Sequence, residues 1–331
     1  MTTAYPVPDN EARVLACARC QVKNRVLLRR AFTQPEGLRC GGCQAALLLR
    51  DGDRAAALSL KGVDFQHPLD QKSLAALESI PGVTTLLKKA VEVTLERYDR
   101  LFHQSSYVRA SPQQLAPLHR LFERAAARLG MGEHELPELY LYQGAEVNAY
   151  TSGVEKPYVA VSSALCDASD DDEILCVLAH ELAHWQSNHV LYKIAARLLS
   201  VAAGEILRST LGLGNLLLVP LQLALLKWDR CSELTADRGM LLASRDPQLA
   251  LRVLMKLAGA SGRFGGALSL DAFMQQALQA RKAPEDGVLD RLYTLLQTAS
   301  RTHPFPLWRA AELHDWACNG DYLPILQRAA G

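Results

Sequence analysis

Helical periodicity occupies most of this chain, and short strand-like runs are confined to one stretch near its middle. From Gly82, "GVTTLLKKAVEVTLERYDRLF" repeats apolar residues at three- and four-residue intervals, the spacing of one helix face. The period resumes in "SPQQLAPLHRLFERAAARLG", where Ser111 is placed to cap a helix and Pro112 to occupy its first turn. The pattern then changes. "ELYLYQ", "EVNAYTS" and "PYVAVSS" alternate or run apolar over short lengths, with Gly144 and Gly153 between them, which predicts three short antiparallel strands. After Asp167 the chain reads as helix almost to its end. "SDDDE", from Ser169 to Glu173, is a dense helix-start signal: capping side chains, then carboxylates facing the positive end of the helix dipole.

These elements define an α+β fold, mostly helical with a small antiparallel sheet, over residues 81–331. Before it, residues 1–50 carry two CxxC pairs around a basic, β-branched stretch, and residues 51–80 read as a connector in which Pro68 forbids a long helix. No internal repeat or low-complexity tract appears.

One apolar stretch leaves two readings open. Residues 209–226, "STLGLGNLLLVPLQLALL", are eighteen residues without a charge, the length at which a membrane span becomes a candidate. Gly212, Gly214, Asn215 and Pro220 interrupt it, and Arg197, Glu205 and Arg208 precede it, which favours a buried helix–turn–helix over a membrane-inserted hairpin. The N-terminus, with two prolines, mixed charge and no apolar core, does not read as a signal peptide, so the expected location is the cytoplasm.

Composition changes the picture little. The 331 residues are 49% apolar and 21% charged with a net charge of +1, which fits a globular protein and excludes a disordered chain. The charge is unevenly spread: residues 1–50 hold eight Lys/Arg against three Asp/Glu, a surplus of five positive charges. Eight cysteines without an export signal read as reduced thiols or metal ligands rather than disulfides.

The chemistry concentrates in "LAHELAHWQSNH". His180 and His184 stand at i and i+4 on one helix face, where both rings can address one zinc ion. Glu181, beside the first of them, can reach an activated water rather than the metal and take its proton as it attacks a peptide carbonyl. A solvated polar face would not surround the histidines with Leu178, Ala179, Leu182 and Ala183. A third ligand is needed. The metzincin pattern requires glycine at 187 and histidine at 190, where this chain has Ser187 and Val190. His189 lies some way round the helix and reads as structural or surface. "CSELTADRG" offers Glu233 and Asp237 at i and i+4, one to bind metal and the other to accept the outer N–H of a ligand histidine.

HExxH, then ExxxD after a few dozen residues, then a His-Pro pair, resembles the HtpX and CAAX prenyl protease family of gluzincin metallopeptidases. "VNAYTSG", "DDEILCVLAHELAH", "SELTADRGMLLA" and "THPFPLWRAAEL" extend the likeness over residues 60–318. The resemblance implies His180, His184 and Glu233 as ligands of a catalytic zinc, Glu181 as base and Asp237 behind a ligand. It brings His303 into the active site, as oxyanion donor or as occupant of the open metal position, with Arg309 paired to Asp237 or to substrate. Asn148 and Ala149 would offer backbone groups to an extended substrate. Many relatives have evident transmembrane helices flanking this core; this chain resembles the family's soluble branch.

Cys17, Cys20, Cys40 and Cys43 form two CxxC knuckles nineteen residues apart, the spacing of a closed, structural four-thiolate zinc site. They resemble the zinc ribbon that precedes some bacterial thioredoxins. Lys23, Arg25, Arg29 and Arg30 give the ribbon a basic face that could meet an acidic protein or, less expected, nucleic acid, although such faces are often just solvated. Cys166, Cys176, Cys231 and Cys318 read as buried free thiols. The expected function is zinc-dependent endoproteolysis of extended or unfolded protein segments, with one catalytic and one structural zinc. A client-binding adaptor and a membrane-associated protease are the competing readings.

Overall fold

A computed structural model describes residues 10–48, 60–91, 97–132, 136–209, 218–259, 263–282, 303 and 305–330. The N-terminal unit pairs β1 (Ala12–Ala16) antiparallel with β2 (Lys23–Leu27) and continues into α1 (Leu28–Thr33). Its two knuckles repeat one geometry. Gln21 and Gln44, each directly after the second cysteine of its pair, adopt positive φ (61° and 60°) and donate their N–H to the carbonyls of Cys17 and Cys40.

Helices α2 (Pro68–Glu78), α3 (Val83–Val91) and α4 (Arg97–Ser106) follow, then β3 (Val108–Ala110), α5 (Ala116–Arg128), β4 (Glu138–Tyr142), β5 (Ala149–Ser152), β6 (Tyr158–Ser162) and α6 (Ser163–Ala168). The rest is α7 (Asp171–Gln186), α8 (Val190–Ser209), α9 (Leu218–Ser244), α10 (Pro247–Gly259), α11 (Leu270–Lys282), α12 (Pro306–Asn319) and α13 (Tyr322–Ala330). The helix start at Asp170 is a capping box, its carboxylate accepting from Glu173 N and Glu173 reaching back to Asp170 N.

Three expectations need correction. The sheet is mixed: its order is β3-β4-β6-β5, and β4 runs parallel to β6 while the other pairs are antiparallel. The cause is burial. β6 is apolar along both faces and fully buried, so it takes an inner position between β4 and β5, and β5 is left as an edge. Next, α5 starts at Ala116, not near Ser111. Ser111 Oγ instead accepts from the N–H groups of Gln113 and Gln114 and closes a turn, with Leu115 at positive φ before the helix.

The connector is the third. Residues 49–59 lie outside the described residues, but 60–80 are part of the helical body. Phe65 is buried in the main core, and Asp70, on α2, has no solvent exposure. The ribbon is not set apart either. Leu15, Val26, Leu28 and Phe32 belong to the same apolar core as Trp316 and Tyr322 of α12 and α13. Phe32 meets Tyr322 at 6.3 Å between ring centres, and Arg13 donates to the Cys318 carbonyl at 2.8 Å. Of residues 209–226, 210–217 lie outside the described set, and the described part from Leu218 opens α9. No described helix is long and apolar enough to cross a membrane.

Helices α7 and α9 form the centre, with α7 also packed on β5 and β6. The two helices approach closely at Ala183 and Gly239. A Cβ at 239 would stand 2.4 Å from the Ala183 methyl, so glycine sets how near the two helices lie. Gly239→Ala should therefore cost about 1–3 kcal/mol by overpacking. Denaturant unfolding checks this, and an unchanged midpoint would mean the helices part freely.

Candidate metal and catalytic site

Each site side chain reaches the centre because its element must pass there. Helix α7 presents His180, Glu181 and His184; α9 presents Glu233 and Asp237; β5 lies alongside with Ala149 and Thr151; α12 and the residue before it in space bring Arg309 and His303. One ligand atom from each of His180, His184, Glu233 and His303 can be chosen so that all lie within 4.8 Å of one another. His180 Nε2 stands 3.4 Å from Glu233 Oε2, and His184 Nε2 stands 3.2 Å from Oε1.

Whether a metal fits can be judged from the donors themselves. Both Nε2 atoms are buried without a hydrogen-bond partner, as is Glu181 Oε1. Orphaned polar atoms are costly in a protein interior. Two imidazole nitrogens and a carboxylate converging on one point form the donor set that zinc takes. The residues fit the ion.

The surroundings hold these groups in place. Asp237 Oδ1 lies 3.1 Å from His180 Nδ1, and Arg309 grips Asp237 through Nε (2.8 Å) and Nη2 (2.6 Å). Arg309 Nη1 also stands 3.1 Å from Glu233, while Lys193 donates to Glu233 Oε1 (2.6 Å) and to Asp229 (2.8 Å). Burial alone would raise the Glu233 pKa, but Lys193, His303 and Arg309 outweigh it and hold the carboxyl well below its usual range. Burial, then Lys193, keeps His184 well below an ordinary imidazole. For His180 burial works against charging, yet Asp237 and Glu233 prevail and raise it to about 9.

Thr151 Oγ1 lies 2.7 Å from Glu181 Oε2 and 3.0 Å from the Glu181 carbonyl, fixing that side chain against β5. His303 turns Nδ1 to Glu233 Oε2 and Nε2 to the Ala149 carbonyl, each at 2.9 Å. Asn148 does not face the open edge with its backbone: its N–H and carbonyl both bond to Ser162 of β6. By the alternation of an antiparallel pair, the outward groups belong to Ala149 and Thr151. A cavity beside the site is lined by His180, Glu181 and Asn148 together with Val177, Met240 and Val253.

The second cluster is the ribbon's. Cys17 and Cys43 stand 3.6 Å apart and Cys20 and Cys40 3.5 Å, with none disulfide-bonded. The four sulfurs form one potential metal group. The Cys43 and Gly42 N–H groups lower the Cys40 thiol to about 6, while at Cys20 the Val22 backbone bond is outweighed by the neighbouring thiols and burial, which raise it to about 12, so Cys40 is the readier of the pair to ionise. Cys176, Cys231 and Cys318 are buried free thiols, and Cys166 is partly buried.

Three contributors had escaped sequence reasoning. His189, read as structural or surface, is structural, fully buried against His184, and it is this contact that its spacing did not reveal. Asp70, read inside a connector, contacts His189. Lys193 reads as an ordinary helix lysine; its one signal is a lone charge among Leu191, Ile194, Ala195 and Ala196.

A family model described as peptidase family M48 matches residues 112–317. The plastoglobule-localized metallopeptidase 48, chloroplastic, of Arabidopsis thaliana is 34% identical over 268 residues, covering 80% of this chain and 76% of that one. A protease HtpX homolog of Ralstonia nicotianae is 26% identical over 226 residues, covering 62% and 75% respectively. The protease HtpX of Xylella fastidiosa is 36% identical over 136 residues, covering 38% and 42%. No solved structure matches the chain.

The geometry ranks the two acidic residues of α9. Glu233→Ala should abolish zinc retention at this site, whereas Asp237→Ala should weaken it by about 10–100-fold. Competition with a chromophoric chelator measures both, and the reverse order would exchange their roles.

Proposed function

This chain belongs to peptidase family M48 and is a zinc metalloprotease, and we propose that it cleaves internal peptide bonds in extended or unfolded protein segments. The observation that carries the reading is the convergence of the two orphaned imidazole Nε2 atoms on Glu233, with Glu181 tied by Thr151 beside them. His180, His184 and Glu233 would hold the catalytic zinc. When bound, zinc supplies a Lewis acid that activates water and polarises the scissile carbonyl.

The chain's own residues do the rest. Glu181 takes the attacking water's proton on Oε1, the carboxylate oxygen without a hydrogen-bond partner, which His303 Nε2 approaches at 3.4 Å, and delivers it to the leaving amine. Asp237, itself clamped by Arg309, orients His180. The outward N–H and C=O groups of β5 pair with substrate backbone, which gives affinity without strong sequence preference. The apolar side chains lining the neighbouring cavity meet one substrate side chain. The four cysteines hold a second, structural zinc, so each chain carries two. The basic ribbon suits an acidic protein partner, and the cytoplasm remains our reading of location.

His303 has two readings, oxyanion donor or occupant of the open metal position at rest. Its bond to the Ala149 carbonyl favours the second, because an edge-bound substrate needs that acceptor. His303→Ala should then raise kcat/KM on an unstructured peptide. A fall in kcat with KM unchanged would instead make it the oxyanion donor.

Glu181→Gln tests the whole reading. Casein hydrolysis should drop by about 10²–10⁴-fold while zinc content stays at the unmodified level. Hydrolysis that survives both this change and a chelator would sink the mechanism. A zinc-loaded chain that binds casein without cutting it would favour a client-binding adaptor.

A further inference from the structure

Behind His184 runs a buried chain of polar groups that the proposed mechanism does not use. His184 Nδ1 stands 3.0 Å from His189 Nδ1, and His189 Nε2 stands 3.0 Å from Asp70 Oδ2. His184, His189 and Asp70 all have no solvent exposure. The Asp70 carboxylate is surrounded by donors. Trp228 Nε1 reaches Oδ1 at 2.9 Å, while Thr235 Oγ1 (2.6 Å) and Gln66 Nε2 (3.0 Å) reach Oδ2. The Thr235 hydroxyl already accepts from His67 N–H at 3.0 Å, so its own proton points to Asp70.

We propose that Asp70 and His189 are positioning residues for the catalytic zinc: together they fix the tautomer and the ring plane of His184. The inference rests on the zinc reading of the site. Its logic is a count of protons. One proton lies between the two Nδ1 atoms, since two would clash and none would leave facing lone pairs. If His184 ligates through Nε2, its own proton is on Nδ1 and is donated to His189 Nδ1. Neutral His189 then carries its proton on Nε2 and donates it to Asp70. A carboxylate can only accept, so it terminates this direction of the relay and forbids the opposite one.

The arrangement differs from the support of His180, which meets Asp237 directly. For His184 the carboxylate comes from α2, far earlier in the chain, and acts through an intervening imidazole. Orientation of a ligand's outer N–H is the usual function of such contacts, and losing one weakens metal binding by about 10–100-fold.

Asparagine at 70 is the discriminating change. Its amide must either present N–H to the His189 Nε2–H or turn N–H toward Trp228, so every placement opposes a donor to a donor. An Asn that turns its N–H to His189 drives the relay backward and puts a proton on His184 Nε2, the ligating atom. Leucine at 189 removes the acceptor of the His184 Nδ1–H. Glutamine there can restore it, its carbonyl accepting from His184 and its N–H donating to Asp70.

The test uses the full-length chain, with zinc affinity measured by chelator competition and the visible spectrum of the cobalt-substituted protein as second readout. Asp70→Asn and His189→Leu should each weaken zinc by about 10–100-fold and alter the cobalt bands. The double variant should lose no more than the worse single change, because Asp70 acts through His189. His189→Gln should bring affinity back toward that of the unmodified chain. Should Asp70→Asn fail to fold, the Leu and Gln variants at 189 decide alone. Unchanged zinc affinity in folded Asp70→Asn and His189→Leu, or equal losses for Gln and Leu at 189, would overturn the relay while zinc loss in Glu233→Ala still upheld the site. Zinc retention unaffected by Glu233→Ala would overturn the zinc reading and the relay with it.

Discussion

Glu233 has no contact with solvent, and an ionised carboxylate in that position must be compensated from within the protein. The groups gathered round it follow from that requirement. Lys193 hydrogen-bonds to it and Arg309 pairs with it at 3.1 Å, and each is shared with a further carboxylate, Asp229 and Asp237. Glu181 lies one step away through His303. Four carboxylates thus face two fixed cations around the histidines. The buried lysine and arginine therefore do not replace a metal; they reduce an excess of carboxylate charge whose compensation a cation at the histidines would complete.

The same constraint explains how tightly the helices are drawn together. For Glu233 on α9 to lie within reach of His180 and His184 on α7, the two backbones must approach closely, and the absence of a side chain at Gly239 allows it. Phe65, from the segment before α2, closes over the same contact. Segment 60–80 is therefore a wall of the site. The ribbon, in turn, shares its apolar core with α12, the helix that carries Arg309. Losing the ribbon would expose Trp316 and Tyr322 and loosen the element that clamps Asp237, so a metal held by its cysteines would stabilise more than its own small fold.

What was legible in the sequence had local spacing. HExxH and ExxxD are i, i+4 patterns on single helices, the cysteine knuckles repeat a short motif, and the Asp170 cap lies within one turn of its partner. Long-range pairings were not legible. Asp70 meets His189 and Thr235 across 119 and 165 residues, and after Pro68 it reads as an ordinary first-turn carboxylate. His189 looked peripheral because its angle on an extended α7 was the basis of judgement. In fact α7 ends at Gln186, and Asn188 at positive φ redirects the chain, which returns the ring of His189 to His184. Strand direction escaped for a similar reason: the apolar run of β6 accounts for its inner position, but which strand it takes as a parallel neighbour is a long-range choice.

Strand β5 joins the two tasks of the site mechanically. Its inward residues pair with β6, while Thr151 reaches across to Glu181 and Ala149 offers its carbonyl to His303. A substrate strand laid along the open edge would use the outward groups of these same two residues. It would take the Ala149 carbonyl from His303 and rest beside the residue that aims the base. On the proposed reading, occupying the edge and freeing the site would be one event, and cleavage would be confined to chains extended enough to lie along four residues of strand. A folded protein, whose backbone groups are already paired, would not meet that condition, which would select extended segments over particular sequences.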